Sequence, residues 1–307
     1  MPALRVTPRG VQIALGLFWI LDGLLQFQPY FFSQNFLSQT IGSMASGQPG
    51  PIQWTIKTAV QITTPYRGEV NVLFALIQLA IGAGLIAGRR WVKPALAISF
   101  AWSFIVWWFG EGLGMIPGGL ASPLTGAPGA VLLYALVGVI VWPTEETPDI
   151  SAASGGILGD HYARLMWGVL WLFLALSMVQ LVNRDADALR STFATAASSA
   201  PSPFAGLDSG IANMLAGHGS GPAIILAMLL AVIGIAVYFN WQRNAFLLAG
   251  SVLALFIWIT AQYFGGIFTG QGTDPNSGPL LGLLAATLWV TPRPRIRSTV
   301  SPDLPSA

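Results

Sequence analysis

Two acids stand inside apolar runs, where each needs a physical reason. Asp22 lies about eleven residues into the run 11–32, near the midplane of a spanning helix at roughly 1.5 Å rise per residue. A bare charge there costs at least about 2.5–3.5 kcal/mol. Gln26 follows four residues later and shares its helix face. Glu111 stands near the end of the run 94–116, within Trp107-Trp108-Phe109-Gly110-Glu111-Gly112-Leu113-Gly114. A carboxyl so placed can hold or pass a proton. Without a functional role, Asp22 would be protonated and hydrogen-bonded to Gln26 or a nearby carbonyl, while Gly110 and Gly114 would serve close helix approach.

A second version of the Glu111 motif occurs later in the chain. Trp107, Glu111 and Gly114 fall opposite Trp258, Gln262 and Gly265 at one offset of 151. Gln262 keeps the hydrogen-bonding capacity of Glu111 but cannot ionise. Asp22 and Gln26 are likewise matched by Leu174 and Met178 at an offset of 152. Helix packing alone therefore does not demand the two acids. The expectation is that Glu111, supported by Trp107, Trp108 and Asp22, faces a cavity open to the outer leaflet. The loop 117–128 would wall it, and Gln262 and Asp274 would form its pseudo-symmetric mate.

The elements that must carry these residues are apolar runs at 11–32, 70–87, 94–116, 126–142, 162–182, 221–239, 245–268 and 277–290. Gly16, Trp19 and Gln28 match Gly168, Trp171 and Gln180 at 152; Gly84, Trp91, Lys93 and Ala95 match Gly234, Trp241, Arg243 and Ala245 at 150. The expected fold is all-α: a polytopic integral membrane protein with eight transmembrane helices in two tandem, parallel four-helix repeats. The repeats would span residues 1–143 and 161–292, with a cytoplasmic linker at 144–160 and a disordered cytoplasmic tail at 293–307. The runs 126–142 and 277–290 are shorter than the roughly 20 residues a crossing needs, so the loops before them would dip into the membrane. Helix N-termini there would present free N–H groups. Between the first and second runs of each half, apolar residues recur at helical spacing (Ile52, Ile56, Ala59, Val60; Phe204, Leu207, Ile211, Met214, Leu215). Such a helix would lie on the outer leaflet or act as a lid over a cavity.

Composition supports this frame: 54% of the 307 residues are hydrophobic and only 8% charged, against roughly 25% in soluble domains. The pI near 9.2 reflects a net charge of only +2, so nucleic acid is not an expected partner. The absence of cysteine excludes thiol cofactors and thiolate-held metals. His161 and His218 are isolated, so neither metal nor haem is expected. Asp274-Pro275-Asn276-Ser277-Gly278 opens like a calcium loop but lacks the downstream acid, and reads as a helix-capping turn. Short connectors rich in Lys and Arg, among them Arg89, Arg90, Lys93 and Arg243, place both termini in the cytoplasm of a bacterial plasma membrane. With Asp22 and Gln26 interrupting it, the first run reads as a retained helix and not a signal peptide.

The segments Leu15-Gly16-Leu17-Phe18-Trp19-Ile20-Leu21-Asp22-Gly23-Leu24-Leu25 and Ala80-Ile81-Gly82-Ala83-Gly84-Leu85-Ile86-Ala87-Gly88-Arg89-Arg90 resemble the first and second helices of the DoxX-like family of small four-helix membrane proteins. Residues 110–114 and 269–276 are similar to Gly-Glu-Gly-Leu-Gly and Thr-Gly-Gln-x-Thr-Asp-Pro-Asn motifs of uncharacterised actinobacterial membrane proteins. The resemblance implies a helical membrane unit and, through some members, quinone-coupled redox chemistry; it carries over no catalytic residue. Three readings follow. The preferred one is a non-enzymatic accessory protein that binds a small molecule, lipid or quinone in an outward-facing cavity. The others are a proton-coupled transporter using Asp22 and Glu111, and a quinone-linked oxidoreductase subunit. The lipid bilayer and a second membrane protein are the expected partners.

Overall fold

The computed structural model describes residues 6–144 and 150–291. Twelve α-helices are present among them: α1 (Pro8–Leu25), α2 (Gly50–Thr63), α3 (Arg67–Ala87), α4 (Arg89–Phe109), α5 (Ala130–Ile140), α6 (Gly159–Met178), α7 (Leu181–Arg184), α8 (Ala188–Ser199), α9 (Phe204–Leu215), α10 (Gly221–Tyr238), α11 (Arg243–Ile259) and α12 (Ser277–Leu288). No β-strand occurs among the described residues. Five stretches are long and apolar enough to cross a membrane: Pro8–Leu25, Gly50–Ala87, Arg89–Phe109, Gly221–Tyr238 and Arg243–Thr269. Helix α6 has the length, but its first turns carry Asp160, His161 and Arg164. With 11 and 12 residues, α5 and α12 reach only about 16–18 Å, roughly half of a 30 Å hydrocarbon core.

Small residues set the closest helix contacts. A Cβ on Gly82 would lie 2.6 Å from the Gly16 carbonyl oxygen, so α1 and α3 meet backbone to backbone. A Cβ on Gly234 would lie 2.8 Å from Trp171 Cβ and 3.3 Å from the Gly168 carbonyl, which seats α10 on α6 in the same manner. Helices α3, α4 and α5 then pack in sequence, as do α10, α11 and α12, while α12 also rests on α5 and α1. One apolar core results, with Leu15, Trp19 and Tyr134 continuous with Trp167, Trp171 and Leu284.

Several expected boundaries are corrected. Three runs stop helical structure early, at Leu25, Phe109 and Ile259. After α4, Leu113, Gly114 and Met115 take φ of 56°, 62° and 58°; after the main body of α11, Phe264, Gly265 and Gly266 take 63°, 68° and 70°. The chain thus folds back instead of continuing outward. Gly110 and Gly114 consequently belong to a turn and not to a helix–helix seam.

Residues 150–160, expected as linker, are packed: Ala152 and Ala153 are fully buried and Thr291 N donates to Ile150 O at 3.3 Å. The rest of the expected linker near 145–149 and the tail 293–307 lie outside the described residues. Asp160 anchors this end, accepting from Arg243 Nη2 at 2.6 Å, Arg243 Nη1 at 2.9 Å, Arg164 Nε at 3.0 Å and Ser151 Oγ at 2.8 Å. Partial burial pushes its pKa up, but the bonds and charge of Arg243, with Ser151 and Arg164, outweigh it and hold the carboxyl below its ordinary range.

Candidate functional site

A cavity of about 270 Å³ lies among α1, α2, α3, α4 and the π-helical turn Phe36–Ile41. Its polar lining is Asp22, Gln26, Thr40, Thr63, Gln78, Glu111, Thr273 and Asp274; Phe36, Phe74, Trp102 and Phe109 supply aromatic walls. Asp22 and Gln26 sit one turn apart on α1, 1% and 4% exposed. The expected side-chain bond between them does not form, since Asp22 Oδ1 and Gln26 Oε1 are both buried without a hydrogen-bond partner. Tyr134 turns its hydroxyl toward Asp22, close enough to act on the carboxyl but short of normal hydrogen-bond geometry. Asn71 Nδ2 donates to the Gln26 carbonyl at 2.8 Å and ties the end of α1 to α3.

Glu111 reaches the cavity through the fold-back. The N–H groups of Gly110 and Glu111 both return to Val106 O, at 2.7 and 3.0 Å, and end α4. The left-handed turn then brings the chain against α5, where a Cβ on Gly114 would clash with the Pro128 carbonyl oxygen. Glu111 Oε1 accepts from Val131 N at 3.1 Å. It therefore satisfies a free N–H in the first turn of α5, at the positive end of that helix. A Cβ on Gly129 would clash with Glu111 Oε2, so the approach requires glycine. This capping role gives Glu111 a structural part that comparison of the two motifs does not reveal. Its Oε2 remains buried without a partner.

Asp274 arrives from the other end of the chain. Its Oδ1 accepts from Asn276 N at 2.7 Å and its Oδ2 from Thr273 Oγ1 at 2.6 Å, while Asn276 Oδ1 accepts from Ser277 N at 2.7 Å. This is the helix-capping turn expected before α12. The expectation that Asp274 pairs with Gln262 in a separate mate is corrected: Asp274 lines the same cavity as Asp22 and Glu111, and its charge acts on both. Gln262, 3% exposed, instead donates to Pro123 O at 3.0 Å and Ser277 Oγ at 2.8 Å. It borders a pocket of about 10 Å³ with Trp171, Leu174, Pro123 and Ala127.

Trp107 and Trp108 brace the site from outside its lining. Trp107 Nε1 donates to Pro128 O at 2.8 Å, holding the start of α5, and Trp108 Nε1 donates to Thr55 Oγ1 of α2 at 3.0 Å. The expected wall, the loop 117–128, does not line the cavity. Ala59, Val60 and Thr63 of α2 and the turn Phe36–Ile41 cover it instead, the arrangement of a lid. The polarity pattern that singles out Asp22 and Glu111 passes over Gln78, although Asn71 and Gln78 stand seven residues apart on one face of an otherwise apolar helix. Among the described residues, no group of three or more His, Cys, Asp or Glu is arranged to hold a metal ion. His161 and His218 lie on the surface.

A second buried acid lies elsewhere. Asp208 of α9 is fully buried and neither carboxylate oxygen has a partner; burial pushes its pKa up to about 6.

No protein-family model, curated protein or solved structure matches this chain.

Proposed function

We propose that this chain is a multi-pass plasma-membrane protein that binds a small molecule in the cavity of Asp22, Glu111 and Asp274, acting as a non-enzymatic binding or accessory subunit. The observation that carries the reading is that cavity: three carboxyls from distant parts of the chain meet in one roughly 270 Å³ space beneath α2. Its size falls near the lower edge of ligand pockets, about 300–1,000 Å³. Intramembrane acids that face a cavity mark ligand or ion sites more often than packing.

The proposed frame is eight crossings in two tandem, parallel units, with both termini cytoplasmic and a DoxX-like ancestry. In support, the Gly16–Gly82 and Gly168–Gly234 contacts recur at equal offset, and the packing order of the helices is the same in each half. Buried loop residues Ala121–Leu124 and Pro275 would complete the short crossings of α5 and α12, as irregular backbone at membrane depth must be enclosed by protein. Cysteines replacing Ser46 and Ser199 should react with an impermeant reagent from outside, and one replacing Ser154 should not; outside labelling at Ser154 would overturn this topology.

Binding is tested by mass spectrometry of small molecules that co-purify with the full chain. The native protein should retain a species that Ala59→Trp, which fills the cavity from its lid, has lost. Identical small-molecule content in both would contradict the site. Proton-coupled transport is the second reading, favoured by the unpartnered Asp22 oxygen, although Asp22 stands in the last turn of α1 and not at its middle as the length of the apolar run suggests. It requires water to reach Asp22 and Glu111 from opposite faces of the membrane, whereas a binder requires access from one.

A further inference from the structure

The chemistry of the lining restricts what the cavity can hold. Three carboxyls face it, and no Lys, Arg or His does. Among the described lining residues, the buried side-chain atoms without a hydrogen-bond partner are four acceptor oxygens, Asp22 Oδ1, Gln26 Oε1, Gln78 Oε1 and Glu111 Oε2, and one donor, Trp102 Nε1. Gln26 and Gln78 are only 4% and 6% exposed, so their amide groups face the cavity and not the outer surface. Leaving buried acceptors unpaired is costly, and leaving buried carboxylates unpaired is costlier still. The space therefore asks for hydrogen-bond donors and for positive charge.

A bare metal ion does not meet that demand, because the acids are spread around the cavity and no set of three is arranged for coordination. The remaining wall is aromatic and aliphatic, with Phe36, Phe74, Trp102 and Phe109. Aromatic faces attract organic cations, and apolar walls reward a hydrocarbon body. A quinone head, which presents acceptors, would find donors in Trp102 Nε1 and the Gln26 and Gln78 amides but would leave the carboxyls unmatched.

We propose that the occupant is a small organic ammonium, its N–H donors directed at Asp22, Glu111 and the Gln26 and Gln78 amides, and its apolar body against the aromatic wall. Asp274 contributes charge across the cavity while its own oxygens stay bonded to Thr273 and Asn276. This assignment rests on the binding reading above and names its ligand class. No covalent step is involved.

The test uses the full chain in lipid nanodiscs and three aromatic probes of similar shape, 2-phenylethylamine, 2-phenylethanol and phenylacetate, titrated by calorimetry. The amine should bind at least about tenfold more tightly than the alcohol, since a hydrogen bond to a charged group is worth that factor or more, and the carboxylate should not bind. Asp22→Asn and Glu111→Gln should each remove most of the preference of the amine over the alcohol. Both keep shape, and Glu111→Gln keeps the acceptor for Val131 N. The comparison of probes on the unmodified protein stands even if a variant fails to fold. Equal binding of amine and alcohol would overturn the ammonium assignment but leave a small-molecule site. Binding of none of the three, with no species lost from Ala59→Trp, would overturn both.

Discussion

The acid cavity and the pocket beside Gln262 occupy matching places in the two proposed repeat units, the two halves of the chain, yet they differ in almost everything that matters for binding. One measures about 270 Å³ and the other about 10 Å³, room for at most about one water. Leu174 stands for Asp22 and Gln262 for Glu111; Pro123 and Ala127, borrowed from the first half, stand where the acid cavity borrows Thr273 and Asp274 from the second. Each half thus lends a loop to the other. What the two share is mechanical. Glu111 holds the start of α5 through Val131 N, and Gln262 holds the start of α12 through Ser277 Oγ. The clamp after the long helix is therefore a requirement of the architecture, whereas its charge is not. The comparison separates the roles of Glu111: tying down the next helix is common to both, whereas accepting a free N–H of that helix and ionisation belong to Glu111 alone.

The largest expected difference lies at the other end of the molecule. The second half is locked by the buried Asp160–Arg243 pair, while Lys93, which matches Arg243, is exposed. Asp160→Asn should cost about 3 kcal/mol in a thermal or denaturant melt, because it leaves a buried guanidinium unpaired. Lys93→Met should stay within about 0.5 kcal/mol. Since the folded pKa of Asp160 is depressed, its stabilisation is present above the ordinary Asp range and fades as pH falls through the lowered value. The Asp160→Asn deficit should therefore shrink below about pH 4. An equal cost for both variants would remove the asymmetry.

Next come the two fold-backs. Gly114→Ala places a Cβ against the Pro128 carbonyl at φ +62° and should destabilise by about 2–4 kcal/mol. Gly265→Ala, with φ +68° and its Cβ 2.7 Å from the Asp274 carbonyl, should cost a similar or smaller amount. Tolerance of either in a melt would deny that the turns are shared devices.

Glu111 itself gives a smaller effect on folding. Glu111→Leu should lose about 1–2 kcal/mol with the cap of α5, and Glu111→Gln less than about 0.5 kcal/mol. If the two variants melt together, the clamp is not what Glu111 provides.

An effect that appears only with pH concerns the helix α9, which carries Asp208. Asp208 carries a raised pKa of about 6, so the folded state binds its proton more tightly than the unfolded chain does. Stability should then decline as pH rises from about 4 through 6, and Asp208→Asn should melt higher than the native protein at pH 8 but equally at pH 4. Parallel pH profiles for the two proteins would show that Asp208 is not desolvated.

Much of this arrangement is legible in the amino-acid sequence. The helical spacing of Ile52, Ile56, Ala59 and Val60 marks α2, and Gly16 and Gly168 do sit at matching helix crossings, but it is Gly82, and not the Gly84 matched by sequence, that stands where Gly234 does. Polarity within apolar runs singles out Asp22, Gln26 and Glu111, and they do meet. Three features are not legible, each for a physical reason. The fold-backs place Leu113, Met115 and Phe264 at positive φ, which nothing in their side chains announces. Asp274 reaches the first half because α12 packs on α5 and α1, a tertiary fact invisible to local pattern. The capping of α5 by Glu111 depends on that same fold-back, so a residue whose sequence context suggests no structural duty has one.

The central claim is that one half contains an accessible polar cavity and the other a filled counterpart. The native chain has no cysteine, so Gln26→Cys and its match Met178→Cys can each be probed alone with a small, membrane-permeant thiol reagent. The account predicts that Gln26→Cys is modified in the folded protein, that adding Ala59→Trp protects it, and that Met178→Cys, fully buried in the apolar core, stays unreactive. Equal reactivity at the two positions, or no protection by Ala59→Trp, would contradict it.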